Sequence, residues 1–222
     1  MTVFSRIRQE FKHIIYSTFK AASPAPTRYQ VGNKTIDVRV ERKGGIPDLA
    51  KRLELTGKGV EIGVMLGDFS ELILSQSNLS LLYSIDPWQA FSKEEYYDGG
   101  NAPQEEQNKR YQSTVSRLSK FKERSIIIRK TSKDAVTEFD DGELDFIFID
   151  GNHGYKYVKE DLHLWWPKVR EGGLFSGDDY LFTPQGKTPV KDAVDEFMRE
   201  VNQKFYLTTQ EKFPRWYCLK GV

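Results

Sequence analysis

The chain has 222 residues, enough for one well-packed α/β domain and a short extension. Its net charge of +1, with acidic and basic residues intermixed, gives no global attraction to nucleic acid or to an anionic membrane. The single cysteine, Cys218, excludes an internal disulfide and a cysteine metal cluster. No apolar run approaches the ~20 residues of a membrane span, and the N-terminus lacks the apolar core and cleavage site of a signal peptide. The expected location is cytoplasmic.

Over residues 1–20, Phe4, Ile7, Phe11, Ile14, Ile15 and Phe19 fall near helical spacing, with Arg6, Arg8, Lys12 and Lys20 between them. This predicts an amphipathic helix. It packs on the domain or on a second subunit of a homo-oligomer, or it lies on a membrane surface. Residues 21–26 read as a linker, and residues 28–40 alternate around Gly32-Asn33 as a small hairpin does. Residues 1–45 are therefore expected to be an extension, and residues 46–222 the domain proper.

From Ile46 the pattern becomes regular. A helix at 47–55 precedes a strand at 59–64, a helix at 69–77 and a strand at 81–86. A polar and aromatic segment, 87–103, leads to a long helix at 104–121. A strand at 125–128, a short helix near 132–138 and the almost wholly apolar strand 144–150 follow. A helix over 155–170 is expected to stop at Glu171-Gly172-Gly173, before a strand at 174–176 that ends near Asp178. A helix at 189–203 and strands near 205–210 and 215–220 complete the chain. Alternating strands and helices predict a parallel sheet covered on both faces. The last two strands have no helix between them and must pair antiparallel. The expected fold class is α/β, a Rossmann-like seven-stranded mostly parallel sheet with an antiparallel C-terminal hairpin and helices on both faces.

In such sheets ligands bind beyond the carboxyl ends of the strands. The first exit, Glu61-Ile62-Gly63-Val64-Met65-Leu66-Gly67, has an acid before its first glycine, and Asp68-Phe69-Ser70 opens the next helix. A diphosphate calls for bare backbone N–H groups without a carboxylate beside them. Glu61 instead suits a nucleoside cofactor carrying an amino group and a sulfonium charge, with Gly63 and Gly67 allowing close approach. The alternative is a glycine turn that serves helix–strand packing. Asp86, about 20 residues on, is placed to accept ribose hydroxyls, or else it holds an Asp-Pro turn. Pro87 lies beside it, Trp88 or Ile85 would flank the base, and Ser132 would touch the base's edge.

Asp150 ends one strand, and Asp178 and Asp179 end its expected neighbour. Carboxylates brought together repel unless a cation stands among them, and oxygen donors suit Mg²⁺, Mn²⁺ or Ca²⁺. The alternative is that Asp178 and Asp179 cap a loop while Asp150 holds His153. His153, among these acids, is a candidate general base or a supporting group of the metal site. His163, mid-helix, is read as structural. Tyr96, Tyr97, Gly99 and Gly100 make 87–103 either a lid over an acceptor or a surface loop. Tyr180-Leu181-Phe182 would add aromatic faces for a sugar or a phenolic ring.

The segments 150–162 (DGNHGYKYVKEDL), 172–180 (GGLFSGDDY) and 189–197 (PVKDAVDEF) closely resemble class I S-adenosylmethionine-dependent methyltransferases of the methyltransferase family 24 type. That group is similar to the metal-dependent O-methyltransferases of macrolide and aminocoumarin sugars. The resemblance covers about residues 46–222. It implies that Glu61, Gly63 and Asp86 hold the methionine and ribose parts of S-adenosylmethionine. It also implies that Asp150, Asp178 and Asp179 ligate Mg²⁺. In several relatives an acid stands two residues after the first metal ligand. Here that residue is Asn152, which cannot take a proton, so the base role shifts to His153. The implied reaction is Mg²⁺-assisted O-methylation of a small acceptor such as a sugar, without nucleic acid. The alternatives are a metal-independent small-molecule methyltransferase and a non-catalytic nucleoside-cofactor-binding protein.

Overall fold

The computed structural model of the chain describes residues 28–31 and 33–222. The expected helix over 1–20, its role in a homo-oligomer and the linker at 21–26 lie outside the described residues. The chain divides into two compact units, Met1–Arg39 and Val40–Val222. In the first, β1 (Arg28–Val31) and β2 (Lys34–Asp37) pair antiparallel from Arg28↔Asp37 to Val31↔Lys34. The hairpin expected around Gly32-Asn33 is present.

The second unit alternates helices and strands as the periodicity requires. Its elements are α1 (Gly45–Arg52), β3 (Lys58–Ile62), α2 (Asp68–Gln76), β4 (Leu81–Ile85), α3 (Gln104–Leu118), β5 (Ser125–Ile128), α4 (Ser132–Ala135), β6 (Leu144–Ile149), α5 (Tyr155–Trp165), β7 (Val169–Gly177), α6 (Pro189–Glu200), β8 (Tyr206–Leu207) and β9 (Trp216–Leu219). The long helices show why they form. α6 starts on Pro189, whose missing N–H costs nothing in a first turn. It buries Val190, Ala193, Val194, Phe197 and Met198, one stripe at i, i+3, i+4, i+7 and i+8. α5 does the same with Val158, Asp161, Leu162 and Trp165. Among the described residues no helix is long and apolar enough to cross a membrane.

Seven strands form one sheet in the order β5-β4-β3-β6-β7-β9-β8. The first five strands in that order run parallel, and β9 pairs antiparallel with both β7 and β8. Every residue of β6 is buried, including Asp145, as its almost wholly apolar sequence predicts for a strand covered on both faces.

One expectation is corrected. The helix over 155–170 ends at Trp165, and Glu171-Gly172-Gly173 lies inside β7 rather than stopping a helix. Pro167 supplies the stop, because it has no N–H to continue the ladder, although Trp166 before it still has helical backbone and bonds the Leu162 carbonyl. The glycines instead serve a bulge. The β6–β7 register shifts between Leu144 and Phe146, and Gly172 takes φ +72°.

Candidate active site

The chain leaves β3 toward β4 on one side, while β6 leads to β7 on the other, so a crevice opens between the exits of β3 and β6. Its floor is stitched by backbone bonds. Asp150 N–H donates to the Ile62 carbonyl at 2.7 Å, Gly63 N–H to that of Ile85 at 2.9 Å, and Asp178 N–H to that of Ile149 at 2.9 Å. Gly63 has φ +84°, and a Cβ there would overlap the Asp150 carbonyl. Gly67, at φ +78°, begins α2 in the left-handed region. Both glycines therefore have a packing and conformational reason, the plainer of the two sequence readings.

Glu61 points into the buried interior, where its carboxylate accepts a bond from Ser70 Oγ. Ser70 Oγ lies 2.8 Å from Ser84 Oγ. Burial pushes Glu61 up to about 8, against the opposing pull of Ser70 and Lys43. The side chain is thus mostly neutral at pH 7, and it repels a diphosphate in full only once it is ionised.

Asp86 accepts from the N–H groups of Val64 and Met65, each at 3.0 Å, and of Trp88 at 2.7 Å. Its carboxylate holds the glycine turn, and ribose hydroxyls would share it with these donors. Burial raises its pKa, while those backbone bonds oppose the rise. Trp88 is buried, and its indole N–H donates to the Met65 carbonyl at 2.9 Å. The Pro87 carbonyl faces Arg129 Nε at 3.4 Å. Ser132 Oγ is tied to Asp161 and accepts from the Trp165 indole at 2.7 Å. Phe69 packs on Phe148 with ring centroids 4.3 Å apart.

The acidic exits come together as expected, with a cation among them that the sequence reading missed. Lys43 Nζ lies 2.8 Å from Asp150 Oδ2 and 2.5 Å from Asp178 Oδ2. Arg215 Nε is 2.6 Å from Asp178 Oδ1. Burial alone would raise Asp150, but Lys43 and His153 outweigh it and hold the carboxyl below the usual range. Burial, with the charge of Asp150, pushes Asp178 up to about 6 despite Lys43 and Arg215. Asp179, also raised by burial, adopts φ +52°.

His153 stands on the other side of Asp150. Its Nε2 is 3.5 Å from Asp150 Oδ1 and 3.3 Å from Asp179 Oδ2, and its Nδ1 is 2.8 Å from Asp98 Oδ2. Burial would lower the imidazole pKa, but the bonds to Asp150 and Asp98 and the charges of Asp150 and Asp179 raise it to about 10. Asp98 belongs to segment 87–103, which lies against the site. Asn152 Nδ2 donates to the Glu95 carbonyl at 2.9 Å, and the Gly100 carbonyl accepts from Gln107 and Arg110. The Phe182 ring sits 5.1 Å from His153, whereas Tyr180 turns away and bonds Asp195 at 2.6 Å. His163 bridges the Lys159 carbonyl and Glu200, which is the structural role expected of it.

Among the described residues, Asp150, His153 and Asp179 each offer a ligand atom, all within 4.8 Å of one another. This oxygen and nitrogen set fits a divalent cation. Asp178 differs, because both its oxygens already face the chain's own cations.

A methyltransferase domain family matches residues 60–180. The uncharacterized protein y4gI of Sinorhizobium fredii is 24% identical over 114 residues, which is 50% of this chain and 12% of that protein's length. The O-methyltransferase NovP aligns with a TM-score of 0.55 at 20% identity, covering 76% of this chain and 74% of its own. The O-methyltransferase of Bacillus cereus, solved in complex with SAH, aligns with a TM-score of 0.56 at 14% identity over 94% of this chain and 90% of its own. At these identities the two structures speak for the fold alone, and the family match extends over more than half of the chain. The chain belongs to the class I S-adenosylmethionine-dependent methyltransferases of the family 24 type.

Proposed function

We propose that this chain transfers the methyl group of S-adenosylmethionine to an oxygen of a small hydroxylated acceptor such as a sugar, with His153 as general base. The observation that carries this reading is the imidazole of His153 at the strand exits, set between Asp150 and Asp179 beside Phe182. The cofactor, when bound, supplies a methyl group on a sulfonium that an oxygen nucleophile attacks. Glu61, Gly63, Gly67, Phe69, Ser70, Asp86, Pro87, Trp88, Ser132 and Asp150 are the residues proposed to hold or support it. Phe182 offers an aromatic face on which a sugar or phenolic ring can lie. Holding the acceptor oxygen in line supplies much of the rate.

In this arrangement the imidazole keeps its proton. A cation between Asp150 and Asp179 would cancel their pull, while Asp98 holds Nδ1 and leaves Nε2 to take the proton. Burial then favours the neutral imidazole, the form that accepts a proton from the acceptor hydroxyl. Asp150 and Asp179 would hold Mg²⁺, which, when bound, lowers the pKa of that hydroxyl, and His153 would stay off the ion to act as base. The resemblance adds Asp178 to the ligands. A second reading, transfer without a metal, is favoured by Lys43, whose ammonium already stands between Asp150 and Asp178.

The test is labelled-methyl transfer to sugars, sugar nucleotides and catechols, with Mg²⁺ and with chelator, beside calorimetry with the cofactor. His153→Ala should lose about 100-fold or more in turnover while cofactor affinity survives. Unchanged turnover refutes the base. Loss of activity on chelation selects the metal-assisted reading, and retained activity selects the other. Cofactor binding without transfer to any acceptor favours a non-catalytic binding protein.

A further inference from the structure

We propose that Lys43 is the resident cation of the acidic strand exits: its ammonium holds Asp150 and Asp178 together and keeps a divalent ion out of the space between them. Asp150 follows β6 and Asp178 follows β7, so the sheet forces the two carboxylates side by side. Without a cation such neighbours repel. Lys43 Nζ reaches both, at 2.8 and 2.5 Å.

The surroundings of that ammonium fit it and not a metal. The Lys43 ammonium also lies over ring faces, with the Phe69 centroid 4.6 Å from Nζ and that of Phe148 5.1 Å from it. Aromatic faces attract an ammonium ion, whereas Mg²⁺, Mn²⁺ and Ca²⁺ require a shell of oxygens.

The backbone that delivers the lysine is itself fastened. Lys43 N–H donates to Glu211 Oε2 at 2.9 Å. That oxygen also accepts from Thr208 Oγ1 at 3.0 Å and lies 3.2 Å from Arg215. Arg215 Nε stands 2.6 Å from the other oxygen of Asp178 as an ion pair, and that oxygen accepts its hydrogen bond from Asp179 N–H. Asp178 therefore has no oxygen turned away from the chain's own cations. A divalent ion is confined to the outer side, where Asp150 Oδ1, Asp179 and His153 face one another.

This inference deepens the reading of the cleft as the transfer site, but its test uses no methyl transfer. Mn²⁺ is titrated calorimetrically into the ligand-free wild type, Lys43→Met, Lys43→Arg and the double variant Lys43→Met/Asp178→Asn. Lys43→Met should bind Mn²⁺ at least about tenfold more tightly than the wild type, because one charge has left the pair. Lys43→Arg should follow the wild type, and the double variant should lose the gain. Equal affinities in the wild type and Lys43→Met overturn the proposal. Thermal melting covers the case in which Lys43→Met is too unstable to titrate. Millimolar Mn²⁺ should then restore it, and Asp178→Asn should restore it without metal. A Lys43→Met chain rescued by neither overturns the proposal as well. Failure of the wild type to bind S-adenosylmethionine would count against the functional reading alone and leave the Mn²⁺ result standing.

Discussion

Replacing Glu61 by glutamine keeps the size of a buried side chain and its bond to Ser70 while removing its ability to ionise. Burial holds the wild-type group at about 8, against an ordinary value of 4.5. At pH 7 such a group is about 90% protonated. A cofactor that brings sulfonium and ammonium charges beside it favours the carboxylate form. Binding at pH 7 should then release up to about 0.9 proton, falling to roughly half a proton at pH 8. Calorimetry in two buffers of different ionisation enthalpy reads that number. Glu61→Gln should bind more weakly and release none of it. The same group acts on stability. Its folded pKa lies above its unfolded one, so its contribution is complete below about pH 4.5 and is lost as pH rises through about 8. Between pH 5 and pH 8 the loss has a ceiling of about 4 kcal/mol. The ligand-free glutamine variant should lack that part of the slope. Equal proton release, together with parallel stability curves for the two chains, would refute the assignment of Glu61 as the group that answers the cofactor's charge.

Gly63→Ala combines φ +84° with a Cβ that overlaps the Asp150 carbonyl. It should cost more than about 3 kcal/mol in urea unfolding; a cost below about 1 kcal/mol would show that the β3 and β6 exits separate easily. Asp98→Ala removes the bonds to His153 Nδ1 and to Gly100 N–H. It should raise the acceptor KM and lower kcat while the cofactor Kd stays unchanged. Asp98→Asn, which keeps an acceptor oxygen, should recover much of the loss. A parallel loss of cofactor affinity would place segment 87–103 in the cofactor site instead.

Period and polarity made the sheet legible. β6 is almost wholly apolar, α6 repeats at helical spacing, and the last two strands lack a helix between them, so a mostly parallel sheet with an antiparallel end follows from the pattern. The end of α5 was misread because two signals compete there. Gly172-Gly173 resembles a helix stop, yet Pro167 acts first and the glycines are spent on a bulge. At the site, residues at strand exits were legible because the fold places them. Lys43, Asp98 and Arg215 were not, because their partners are set by tertiary approach. Lys43 meets residues 107 and 135 positions away, and Asp98 meets one 55 away. Lys43 also falls in the stretch read as an extension, although the compact unit begins at Val40. Charge counting held the one usable signal. Three carboxylates at one sheet edge need cations, and the nearest basic residues ahead of the first domain helix are Arg42 and Lys43.

The two oxygens of Asp150 divide the crevice. Oδ2 faces Lys43, whose ammonium also lies against two aromatic rings. Oδ1 faces His153, whose other ring nitrogen bonds Asp98 of segment 87–103. Backbone strain follows the same border. Met65 at φ +54°, Trp88 at φ +42° and Asp179 at φ +52° are non-glycine residues in the left-handed region, all at strand exits. Such conformations cost about 1–3 kcal/mol each and persist only where the surroundings enforce them. Here the enforcing contacts are visible for two of them. Asp86 binds the N–H groups of Met65 and Trp88, and the Trp88 indole returns a bond to the Met65 carbonyl. The Gly63–Gly67 turn is therefore held by contacts within the chain, whereas the His153 side rests on Asp98 of segment 87–103. A site arranged this way should show its conformational cost in acceptor binding rather than in cofactor binding, which is why Asp98 and Glu61 test different halves of it.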